Sequence, residues 1–188
     1  MMIHWLSKRI AAYCADGTDA NREIVAYGLE CRISDFVQIA VLTVTGLALD
    51  RMGETFCFCI CFTVLKRQVG GCHCSTHFAC IAAFTVLSIA VTKLVQHIPL
   101  EWSVYITLTG MAVVFGIVIL RAPVAHPNHP KSRAAHQKSR RASLWLAVLG
   151  TVSRPMLAIP FPALGMAGAF GGLFAALSLV IPVKREGG

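Results

Sequence analysis

Acidic residues are scarce in this chain: none lies between Glu101 and Glu186, and charged residues of both signs make up only 14% of its 188 residues. A soluble domain of this size carries about a quarter charged residues, so an ordinary globular protein is excluded. Aromatic residues contribute 9% and do not interleave with basic ones into a stacking face. That removes nucleic acid as a partner despite a formal net charge of +8. Met1 to Tyr13 lacks the apolar core of a cleavable signal peptide, being short and interrupted by Lys8 and Arg9. A secreted disulfide scaffold is excluded too, because the eight cysteines sit in a chain dominated by apolar segments and read as mostly reduced thiols. Cys57, Cys59 and Cys61 alternate inside one such segment and read as small core-filling hydrophobes.

What the chain has in abundance is apolar residues, 56% of the total, with a mean hydropathy of +0.66. They fall in long blocks separated by short charged gaps, which predicts one all-α, polytopic integral membrane domain over 1–188. Six spans are expected: about Ser34–Leu49, Glu54–Leu65, Phe78–Gln96, Trp102–Leu120, Leu144–Ile159 and Ala163–Val183. A crossing takes roughly 20 helical residues, so the third, fourth and sixth are comfortable and the second is short. Residues 1–32 form a polar, amphipathic N-terminal region, and 121–142 a basic loop.

Lys and Arg set the orientation. Lys8, Arg9, Arg22 and Arg32 precede the first segment, Lys66 and Arg67 follow the second, Arg121 to Arg141 follow the fourth, and Lys184 and Arg185 follow the sixth. Six crossings with both termini in the cytoplasm put all four clusters inside. Lys93 and Arg154 are intramembrane exceptions, read as snorkelling from near the outer ends. Pro155, Pro160 and Pro162 are expected to kink or end the fifth helix. Gly165, Gly168, Gly171 and Gly172 give the sixth a small-residue face for close helix packing, a basis for a homodimer. The run with Lys131, Arg133, Lys138, Arg140 and Arg141 reads as an anionic-lipid contact and as a docking surface for an acidic peptide tail.

Chemistry concentrates in "VGGCHCSTHFAC", at the cytoplasmic mouth between the second and third spans. Gly70 and Gly71 free the backbone, Ser75 or Thr76 is the candidate N-cap, and a transmembrane helix starts near Phe78. Cys80 then sits in about the first helical turn, where the positive end of the helix dipole favours a thiolate nucleophile. His73 lies seven residues earlier, roughly 10 Å of rise in a continuous helix. It reaches Cys80 only if the glycine loop folds it back over the first turn. His77, three residues before Cys80, is the simpler partner by spacing. A rival reading makes Cys72, Cys74, His77 and Cys80 a zinc ligand set in a metal-binding or metal-transporting membrane protein. Against it, structural zinc sites use two separated ligand pairs, whereas these four crowd into nine residues.

The stretch "KRQVGGCHCSTHFAC", with "IVAYGLE" upstream and "RAPVAHPNHP" downstream, resembles the accessory gene regulator B proteins, bacterial membrane peptidases that mature quorum-sensing peptide pheromones. The resemblance implies a cysteine endopeptidase of the bacterial plasma membrane with no cofactor and no metal. Cys80 would be the nucleophile and His73 the base. Glu30 would orient the imidazole or bind substrate, and His77 would be the alternative base. The basic pair Lys66 and Arg67, with Lys131 and Arg133, would dock the substrate. The expected partners are a short precursor peptide and membrane lipids. The implied acyl-enzyme is a thioester, energetically close to a thiolactone, so a nucleophile within the peptide can close a ring in place of hydrolysis.

Overall fold

The computed structural model describes residues 5–10, 19–70, 76–124 and 133–181. Residues 5–10 are helical, and six longer helices follow: α1 (Asp19–Ala48), α2 (Met52–Val69), α3 (His77–His97), α4 (Ser103–Arg121), α5 (Arg133–Ala158) and α6 (Pro162–Leu177). No strand occurs among the described residues, so the all-α expectation holds. Three of the helices are long and apolar enough to cross a membrane, over Gly28–Ala48, Phe78–His97 and Leu100–Arg121. Large apolar side chains such as Phe36, Phe78 and Leu120 point outward, the arrangement of a protein whose solvent is hydrocarbon.

The links between helices follow from local chemistry. Between α1 and α2 the chain reverses within three residues, helped by Asp50 at φ 53°, a conformation that Asp tolerates better than most side chains. The Arg51 N–H closes that turn on the Gly46 carbonyl at 2.9 Å. α3 ends where Ile98 turns extended before Pro99, as the residue preceding a proline must. A 3₁₀ turn, Leu100–Trp102, then leads into α4. Pro162 occupies the start of α6, where its missing N–H costs nothing.

α6 is the centre of the bundle, packed on α2, α4 and α5. Its glycines make that possible. A Cβ at Gly171 would lie 2.5 Å from the Phe58 carbonyl oxygen, and one at Gly165 would collide with Ala158; Gly172 faces Met111 and Val114. In lipid the water-transfer driving force between helices is absent, so close approach and dispersion hold them together. The small-residue face is therefore used for close packing inside the chain. Phe58, Phe62 and Phe84 join α2 to α3, with ring centroids 5.5 Å apart for Phe58–Phe84 and 4.6 Å for Phe62–Phe84.

Several boundaries differ from expectation. α1 starts at Asp19 and runs unbroken from the polar N-terminal region into the apolar segment. The basic residues from Arg133 to Arg141 are the opening turns of α5 rather than loop. Pro155 does not end α5, which continues to Ala158; the Thr151 carbonyl loses its i+4 donor there, and the neighbouring prolines 160 and 162 do the ending. The sixth segment was expected to reach Val183, but α6 stops at Leu177 after 16 residues, roughly 24 Å, and the turn bonds Leu179 N–H to Ala176 O and Val180 N–H to Leu177 O follow.

Candidate active site

The helix that carries Cys80 begins as its sequence dictates. Thr76 is the N-cap, in extended conformation at φ −132° and ψ 149°, and its hydroxyl oxygen accepts the Ala79 N–H at 3.1 Å. The Cys80 N–H donates to the Thr76 carbonyl at 3.1 Å, the first backbone bond of the helix. Cys80 is thus held at the edge of the first turn, half-buried, next to N–H groups that no intrahelical carbonyl satisfies. An anion forming there is favoured by the helix dipole. Of the two N-cap candidates, Thr76 takes the role.

The end of α2, which precedes the His73 segment in the sequence, is tied down on four sides. Lys66 Nζ donates to Ser178 Oγ at 2.6 Å, just past α6. Arg67 Nη2 donates to Asp35 Oδ2 of α1 at 2.7 Å. Ser139 Oγ of α5 donates to the Gln68 carbonyl at 2.8 Å. The Val124 N–H, from the α4–α5 link, donates to the Val69 carbonyl at 2.9 Å. Gly70 closes the helix at φ 75°, in a parallel bridge with Val124, and a Cβ there would stand 2.5 Å from the Val124 carbonyl oxygen. Position 70 thus needs glycine twice over, for its backbone angle and for this close approach. His73 follows this anchored point by three residues in the sequence.

His73, Cys72, Cys74 and Lys131 lie outside the described residues, as do the side chains of His77 and Arg133. Glu30 is half-buried in α1. Lys66 and Arg67, expected to dock substrate, both make contacts within the chain itself. Cys57 donates its S–H to the Leu164 carbonyl at 3.2 Å and Cys61 is buried, in keeping with thiols that fill the core. Among the described residues no group of three or more His, Cys, Asp or Glu side chains is arranged to hold a metal ion. Reasoning from sequence missed the ties made by Val124, Ser139 and Ser178. The Gly70-Gly71 pair and the proline after Ala122 were the available signals, but which segment docks on the glycine is not written in either.

The sequence model of one protein family, described as accessory gene regulator B, matches residues 4–179, all but a few residues at each end. No curated protein and no solved structure matches the chain.

Proposed function

The chain belongs to the accessory gene regulator B family, whose members take part in processing quorum-sensing peptides, and from that premise we propose that it is a membrane-embedded cysteine endopeptidase. Cys80 sulfur, as thiolate, attacks a backbone carbonyl of a short precursor. The C–N bond breaks, and the departing amine takes the proton that the His73 imidazole had drawn from the thiol. The N-terminal part of the precursor stays on Cys80 as a thioester. A thiol or hydroxyl within that part then displaces Cys80, closing a thiolactone or lactone ring and regenerating the enzyme.

In this reading six crossings place both termini, the Cys80 mouth and the basic residues at the cytoplasmic face of a bacterial plasma membrane. The basic turns of α5 receive the acidic tail of the precursor. The carrying observation is the capped start of α3, which sets Cys80 at the positive end of the helix. Support for the topology comes from the ties Lys66–Ser178, Gln68–Ser139 and Val69–Val124. They gather the ends of α2, α4 and α6 and the start of α5 at one end of the bundle, with the basic residues around them.

Coexpression of a precursor peptide with the Cys80→Ala, His73→Ala and His77→Ala variants tests the assignment. Cleavage is expected to vanish for Cys80→Ala and His73→Ala and to persist for His77→Ala. Normal cleavage by Cys80→Ala would remove the proposal, and the reverse result for the two histidines would move the base to His77.

A further inference from the structure

Arg154 lies one turn from the end of α5, half-buried. It lines a crevice of about 220 Å³ between α2, α4, α5 and α6. Its Cδ rests against α6, 3.1 Å from where a Cβ of Gly168 would be. Among the described residues its guanidinium has no hydrogen bond and no ion pair. The four helices around it explain why. α4, α5 and α6 contain no acidic residue, and the one carboxylate of α2, Glu54, is engaged by Arg51 at 3.4 Å. The sulfurs of Cys57 and Cys61 approach the same point over Gly168, at 3.1 and 3.2 Å, but they are thiols, and Cys57 has given its S–H to a carbonyl. In the six-crossing topology proposed above, an arginine in α5 without an anion is costly, and none of the described residues packed around it supplies one.

The shape of the crevice says what carries that anion. Its floor is Met111, Val114 and Gly172, with Met111 and Val114 near the middle of a helix long and apolar enough to span. Its rim is apolar and exposed, with Ile60 and Leu149 at 55% and 63%, so it opens sideways rather than toward an aqueous end. A peptide laid there would leave backbone N–H and C=O groups unsatisfied. A hydrocarbon chain has none to satisfy, and 220 Å³ accommodates roughly seven groups of water size at ~30 Å³ each. Arg154 stands about 6 Å, four residues of helix, from the end of α5, within reach of a headgroup by snorkelling.

We propose that this crevice is a binding site for one anionic phospholipid, its phosphate on Arg154 and an acyl chain lying between α2 and α5. The site is distinct from Cys80 and rests on α5 crossing the membrane, as in the topology proposed above, not on the peptidase chemistry.

The test is a titration of the purified, delipidated full chain in detergent with phosphatidylglycerol, and separately with phosphatidylcholine of the same acyl chains, read by native mass spectrometry. One phosphatidylglycerol is expected to be retained per chain, about tenfold more tightly than phosphatidylcholine, the gain of a charge-assisted hydrogen bond. Arg154→Gln should bring it down to the phosphatidylcholine level and Arg154→Lys should keep part of the preference, while Lys93→Gln, altering an exposed lysine elsewhere, should leave it intact. Val64→Phe, at the partly exposed rim, should weaken retention of both lipids by narrowing the mouth, and so serves if Arg154→Gln fails to fold. Equal retention of the two lipids by the unaltered chain, or full retention by folded Arg154→Gln or by Val64→Phe, would overturn the proposal. Precursor cleavage is not a readout here, so neither result bears on the role of Cys80.

Discussion

At the scale of single residues, two side-chain choices hold the site together, and each makes a prediction. Thr76 satisfies an N–H that would otherwise be orphaned at the start of α3, so Thr76→Ala should cost about 1 kcal/mol in a thermal or denaturant titration in detergent. Precursor cleavage should slow in parallel, because the first turn that positions Cys80 frays. Thr76→Ser, which keeps the acceptor oxygen, should behave like the parent. Gly70→Ala should be worse, since the new side chain meets both a left-handed backbone, at roughly 1–2 kcal/mol, and the Val124 carbonyl. Cleavage should be lost while the protein still inserts, as checked by membrane fractionation and a peptide-processing assay. Of these two, the cap was legible in the sequence, because a Thr ahead of a long apolar run states its own hydrogen bond. The glycine was legible only as a turn. Its partner lies more than 50 residues away in the chain, and no local pattern encodes a backbone contact at that distance.

At the scale of helices, the glycines of α6 separate packing from flexibility. Gly171→Ala would force α2 and α6 apart at the Phe58 carbonyl and should destabilise the bundle by about 1–3 kcal/mol. Gly116→Ala in α4 has the opposite expected sign. Nothing lies within 4 Å of the added methyl, and a helix interior gains about 0.4–1 kcal/mol from the stiffer residue. Unfolding the two variants side by side in detergent checks both signs. Each of the six apolar segments read from hydropathy overlaps one of the six long helices, three of which are long and apolar enough to cross a membrane. The start of α5 and the end of α6 were not readable that way. Hydropathy marks where apolar residues begin, whereas α5 starts in the basic run at Arg133 and continues through Pro155. The small-residue face of α6 was recognised for close packing, but its pattern is the same whether the partner is another helix of the chain or a second copy.

At the scale of the whole molecule, the ends of α2, α4 and α6 and the start of α5 are tied together around Lys66–Gly70. The proposed function needs Cys80, near the start of α3, and the basic turns of α5 at this end of the bundle. The resemblance that pointed to this chemistry rested on three motifs in order along the chain, and the family match over residues 4–179 agrees with it. No spacing rule gives the geometry between His73 and Cys80, because the helical register that fixes Cys80 begins only at its N-cap, Thr76, after His73. The central claim is that Cys80 becomes acylated by the precursor. Mixing the purified full chain with precursor, quenching in acid within the first turnover and mapping the digest by mass spectrometry addresses it directly. The account predicts a peptide mass on the Cys80 fragment that hydroxylamine removes and that Cys80→Ala lacks, whereas processed peptide appearing with no adduct on Cys80, and equally with Cys80→Ala, would contradict it.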